Sequence, residues 1–244
     1  MTAIGLTHGP ADPDALARTD RLRRVGVAAA MLVAPWFIVA AETGHALTTL
    51  DGVDDLEPAG DIAVAAEHLT VVRWAGLAAL LGALLLVPAV LGVMRLVRIR
   101  ADRLGLVGGV LTAAGYICYF AMVFQGFTTT AMVSTGGSTS QNVAVLQAVL
   151  DEPLTLWVYL LFVLGNVVGT FLLGLALLRA HTAGRLAGYG LIAWPVLHVV
   201  SFPFSDVIGA TAQAVGFAIA ARALLRRRDP AVHSSPAPYE LLRK

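Results

Sequence analysis

Seven acidic residues and no Lys or Arg lie between Val25 and Val72, whereas Arg18, Arg21, Arg23 and Arg24 precede that stretch and Arg95, Arg98, Arg100 and Arg103 close the next apolar run. Lys and Arg that flank a membrane span stay on the cytoplasmic side, so apolar runs with alternately basic and acidic borders mark a chain that crosses a bilayer repeatedly. The chain is 57% hydrophobic and 14% charged, against about 25% charged in soluble domains. Lipid is the solvent this composition suits. The charge pattern predicts an all-α, polytopic membrane protein: a six-helix transmembrane bundle over residues 25–228, with cytoplasmic tails at 1–24 and 229–244. Both termini then lie inside the plasma (inner) membrane, which a nearly lysine-free, arginine-rich chain ascribes to a bacterium.

Six apolar runs fit helices across about 30 Å of hydrocarbon, at residues 25–41, 62–97, 104–125, 154–178, 186–202 and 207–225. The basic flank and Ala40-Ala41 of the first run also suit a cleaved signal peptide, but its length and distance from Met1 favour a retained span. The second run starts at Asp61, read as an N-cap, and continues without a breaker to Val97. At about 1.5 Å per residue it spans roughly 54 Å, so its first turns must project beyond the core or lie along the interface. Polar outer loops are expected at 43–60 and 128–141. Val143, Leu146, Gln147 and Leu150 fall at helical spacing, which predicts a short interfacial helix before Asp151-Glu152-Pro153. Ser205 or Asp206 is placed to cap the sixth span.

Small residues four apart at Gly105/Gly109, Gly165/Gly169 and Gly184/Gly188 share a helix face and let backbones approach closely, within the bundle or between copies in a homo-oligomer. Asn166 lies at the midpoint of the fourth span. A buried amide needs partners, and Tyr116, Tyr119 and Gln213 on other spans can supply them, as interhelical glue or as the lining of a polar cavity. No Asp, Glu or Lys sits at mid-span, which argues against a carboxylate-driven pump. Cys118, the single cysteine, lies in an apolar run and reads as a small buried hydrophobe.

The titratable side chains gather toward one membrane face. Glu42 and His45 share a helix face, His68 precedes the second span, and His198 lies near the outer end of the fifth, with Ser201, Ser205 and Asp206 beyond. Imidazoles and carboxylates hold Zn²⁺ or act as acid and base near neutral pH, so His45, His68, His198 and Glu42 are the candidate divalent-metal set. The spacing matches no metal motif, and no nucleotide or hydrolase motif occurs, so no cofactor and no catalytic residue is assigned. A net charge of +1 with no basic field excludes nucleic acid as a partner.

The basic N-terminal flank, the span ending near Glu42, Leu91-Gly92-Val93-Met94-Arg95 and Gly165 to Gly174 to Arg179 resemble the uncharacterised six-span bacterial membrane proteins grouped as domains of unknown function. The resemblance is one of architecture over about residues 25–228, and it implies no activity. Three classes of function remain open: a non-catalytic structural, accessory or sensory membrane protein; a permease-like protein with a cavity near Asn166, Tyr116 and Tyr119; and a membrane-embedded metalloenzyme using the outer histidines.

Overall fold

The computed structural model describes residues 13–50, 57–200 and 202–226, and every regular element among them is helical. In chain order they are α1 (Pro13–Thr48), α2 (Pro58–Glu67), α3 (Leu69–Val97), α4 (Asp102–Ser134), α5 (Thr139–Leu150) and α6 (Pro153–Val163). A π-helical turn (Leu164–Gly169) then leads into α7 (Thr170–Ala180), α8 (Arg185–Val200) and α9 (Ser205–Arg226). Five helices among the described residues are long and apolar enough to cross a membrane: Arg18–Thr48, Leu69–Val97, Asp102–Ser134, Pro153–Ala180 and Ser205–Arg226. The fifth expected span, α8, is apolar but has 16 residues, about 24 Å at about 1.5 Å each.

The chain distributes its apolar side chains both inward and outward. Met31, Leu86, Val93, Leu173, Leu191 and Phe217 fill a core shared by α1, α3, α7, α8 and α9. Leu84, Val110, Ile117, Leu160, Leu161 and Val215 point out and stay exposed, and α6 buries no residue at all. A water-facing surface of this kind would associate, whereas lipid tails accept it.

Because lipid is as apolar as leucine, helices gain little by merely hiding leucines from it, and close contact must hold them together. Glycine provides that contact. A β-carbon on Gly115 of α4 would lie 2.9 Å from the backbone of Gly165 and Asn166, and one on Gly169 would lie 2.6 Å from Thr112 N. The backbones of α4 and the π-helical turn therefore touch. Gly174 and Gly188 make the same approach between α7 and α8, each facing the other's carbonyl at 2.9 Å. Gly105 and Gly109 press on Val97 and Met94. The Gly105/Gly109 and Gly165/Gly169 faces are thus occupied within the chain. Gly184 precedes α8 in a turn with φ +83, so it shares no helix face with Gly188.

Several boundaries differ from the sequence expectation. The helix of the first span begins at Pro13, inside the stretch read as a disordered tail, and runs to Thr48, beyond Ala41. The rest of that tail, residues 51–56 of the acidic loop, Ser201 and the C-terminal tail lie outside the described residues. The second apolar run is broken at His68 (φ −117, ψ 31). No Gly or Pro marks this site. The break keeps the hydrogen bonds from His68 N–H to Val64 O and from Val72 N–H to His68 O, at 2.9 and 3.0 Å. It allows α2 to turn out of the line of α3, lie over α4 and α5 and bury Ile62, Val64 and Ala65. Glu57 takes the N-cap position, with Pro58 at the start of α2. Asp61 lies in the first turn and accepts a hydrogen bond from Thr129 Oγ1 on α4 at 3.2 Å.

The expected loop at 128–141 is largely helix. Thr128, Thr130 and Ser134 return their hydroxyls to carbonyls of the preceding turn, which lets a polar stretch continue α4. The expected short helix before Asp151 is present as α5, capped by Ser138 Oγ accepting from Gln141 N–H. Cys118 is a free, half-buried thiol rather than a buried one.

The glycine contacts give a direct test. Gly115→Ala places a methyl against backbone that has no rotamer to yield, so it should lower stability by about 1–3 kcal/mol in thermal unfolding of the purified protein. Gly126→Ala, whose β-carbon meets nothing within 4 Å, should be neutral or stabilising. A Gly115→Ala protein that melts like wild type would show that α4 does not depend on this contact.

Candidate functional site

Two cavities open at the end of the bundle where α1 finishes, α3 and α9 begin, and α2 and α5 lie across α4. The larger, about 410 Å³, is walled by α1, α3, α4 and α6 and roofed by α2 and α5. Its polar lining comes from Glu42, His45, Glu57, Asp61, Gln125 and Thr130. Its aromatic lining is Tyr119, Phe127, Tyr159 and Phe162, and the remaining wall is aliphatic, with Ala79, Val123 and Leu146 among it. Among the described residues, no Lys or Arg lines it. A pocket of this size, apolar with a few convergent polar groups, is the usual form of a small-molecule site.

The aromatic wall is ordered by its own contacts. Tyr119 stacks on Phe162 with ring centroids 5.1 Å apart and planes 16° from parallel. Tyr159 meets Phe162 edge-on at 6.3 Å, and Tyr116 meets Tyr119 edge-on at 6.5 Å. Tyr116 is buried behind this wall, where its hydroxyl accepts a hydrogen bond from Gln213 Nε2 of α9 at 3.4 Å. The chain from Phe162 through Tyr119 and Tyr116 to Gln213 thus ties the cavity wall to the bundle core.

The second cavity, about 330 Å³, lies on the other side of α1 and is bordered by Glu42, His45, Thr49, Ser205, Asp206 and the Phe202-Pro203-Phe204 turn. Phe204 holds a left-handed backbone (φ 63), uncommon for a bulky residue, and this sets the entry of the chain into α9. Ser205 Oγ accepts from Phe202 N–H at 3.3 Å. Neither Ser205 nor Asp206 precedes the helix as a cap: α9 starts at Ser205 with Asp206 in its first turn, and Asp206 Oδ1 meets His198 Nδ1 at 2.8 Å. His198 also stacks on Trp194, with centroids 5.3 Å apart. With the proton on Nδ1, its Nε2 remains an acceptor.

The sequence candidates are therefore only partly assembled. Glu42 and His45 line both cavities and form their common wall. His198 is held by Asp206 and Trp194. His68 stands at the junction of α2 and α3 and lines neither cavity. Among the described residues, no three His, Cys, Asp or Glu side chains are grouped to hold a metal ion, so the set Glu42, His45, His68 and His198 does not form one. Of the polar set, Tyr119 lines the larger cavity and Tyr116 pairs with Gln213. Asn166 is buried in the π-helical turn, and its Oδ1 has no hydrogen-bond partner.

Glu57, Asp61, Tyr159 and Phe162 line the larger cavity but are not among the site residues expected from sequence, where Asp61 reads only as an N-cap. Glu57 and Asp61 are four apart and Tyr159 and Phe162 three apart, so each pair shares a helix face; that spacing was the available signal. No family model matches the chain, and neither a curated protein nor a solved structure does. Function must accordingly be argued from this site alone.

The buried pair that anchors the wall is measurable. In a double-mutant cycle on thermal stability, Tyr116→Phe and Gln213→Leu should couple by about 0.6 kcal/mol, the average for a hydrogen bond between helices in lipid. Strict additivity would mean the contact contributes nothing.

Proposed function

We propose that the chain is a six-span protein of the bacterial inner membrane, with both termini cytoplasmic, and that it is a non-catalytic ligand-binding protein of sensory or accessory type. Its kinship with the six-span bacterial membrane proteins of unknown function belongs to the same proposal. The crossings are supported by five long apolar helices and by the outward-facing leucines of α6. The orientation is supported by the arginines at the ends of α3, α7 and α9, against the acidic residues at the opposite end. One observation carries the functional part: a 410 Å³ cavity, lined by aromatic and acidic side chains, opens on the end assigned to the outside.

A permease-like function is the second reading. It is favoured by the π-helical turn that begins two residues after Phe162 of the cavity wall, because single π turns inside a helix recur at functional sites and hinges. Uptake of a ligand into proteoliposomes, as opposed to binding alone, separates the two.

The cavity's openness is tested with a thiol. In a Cys118→Ala background, Gly126→Cys introduces a side chain into open space on the cavity wall. A membrane-impermeant thiol reagent added to intact cells should modify it, as it should modify Gln141→Cys on α5, and should spare Asp102→Cys at the arginine end. Failure at Gly126→Cys with success at Gln141→Cys would mean that the cavity is closed to the outside. Modification only after the membrane is opened would reverse the orientation.

A further inference from the structure

We propose that the larger cavity is a site for a hydrophobic organic cation. The inference rests on the cavity being an outward-open ligand site and adds the chemistry of what enters it. Two independent features of the wall select the same sign of charge. The first is the aromatic lining: Tyr119, Phe127, Tyr159 and Phe162 come from α4 and α6, and the negative face of an aromatic ring attracts an ammonium or guanidinium within about 6 Å of its centroid. The second is the carboxylates. Glu42 from α1 and Glu57 and Asp61 from the start of α2 border the same space, where His45 is the one basic side chain among the lining residues.

The remaining lining decides what kind of cation. A bare metal ion needs several oxygen ligands at about 2.0–2.6 Å, and among the described residues no three carboxylate, imidazole or thiol groups come together for one. Aliphatic side chains, Ala75, Ala79, Val123 and Leu146 among them, make up much of the wall. They offer nothing to an inorganic ion and a good surface to a hydrocarbon body. A molecule with an apolar or aromatic body and a single positive head satisfies both parts of the lining.

The positive head could belong to a soluble amine or to the amine of a lipid headgroup, and the chemistry at the carboxylates is the same for both.

Tetraphenylphosphonium and tetraphenylborate have nearly the same shape and opposite charge, so together they isolate the sign. With the full chain purified in an uncharged detergent, equilibrium dialysis should show saturable binding of the phosphonium and none of the borate. Glu42→Gln should weaken phosphonium binding about tenfold. Glu57 is exposed, so Glu57→Gln leaves the fold intact; it should weaken binding less, in the same direction. Glu152→Gln, outside the cavity, should change nothing. In nanodiscs, competition by phosphatidylethanolamine but not phosphatidylglycerol would identify the lipid amine as the source, and absence of competition a soluble cation. The inference is overturned if the phosphonium does not saturate, if the borate binds equally, or if Glu42→Gln and Glu57→Gln both bind like wild type. Those results alongside an accessible Gly126→Cys would sink the cation while leaving an open ligand site standing.

Discussion

In hydrocarbon, no water satisfies a backbone N–H or C=O, so a lipid-facing segment must complete its hydrogen bonds within itself. Nearly every feature of this chain depends on that constraint. It makes the apolar runs helical whatever their propensity, including the Val-, Ile- and Gly-rich ones. It also explains why departures from α-helix occur only in protected places. The π-helical turn lies against α4, where Gly115 and Gly165 shield its backbone, and the break at His68 lies at the end of the bundle with its flanking hydrogen bonds kept.

Once helices are obligatory, the problem becomes how they hold together in a solvent that does not expel them. Glycine at the crossings of α4 with the π-helical turn, and of α7 with α8, brings backbone against backbone and multiplies weak contacts that leucine side chains would hold apart. The few buried polar links, Tyr116 to Gln213 above all, add register to that packing. The cost appears nearby: the Asn166 and Gln213 amide oxygens are buried without hydrogen-bond partners.

Fold class, membrane character and the short helix α5 were legible because they follow from period and composition, which a chain displays locally. The roof over the cavity was not. Its cause is long-range: α2 leaves the line of α3 so that Ile62 and Val64 can pack on α4 and α5, and nothing in the residues around His68 announces it. The candidate site divides the same way. Glu42 and His45 share a helix face, and they do border one space. His68 shares only an end of the bundle with them, which is much weaker than sharing a cavity, and His198 is joined to their second cavity through Asp206. Glu57 and Tyr159 became neighbours of Glu42 through tertiary folding alone.

The Leu69–Val97, Asp102–Ser134 and Pro153–Ala180 helices already join the acidic, aromatic end to the arginine end; a sixth crossing, and with it both termini on one face, depends on α8, which with 16 residues is the shortest of the proposed spans. A helix of about 24 Å in a core of about 30 Å can cross by thinning the bilayer around it, at a modest cost per ångström. The most direct measurement places single cysteines at its two ends, Pro203→Cys and His181→Cys, in a Cys118→Ala background. An impermeant thiol reagent on intact cells should modify Pro203→Cys at once and His181→Cys only after the membrane is opened. Modification of both from the same side would make α8 a re-entrant helix, leave five crossings, and place the termini on opposite faces.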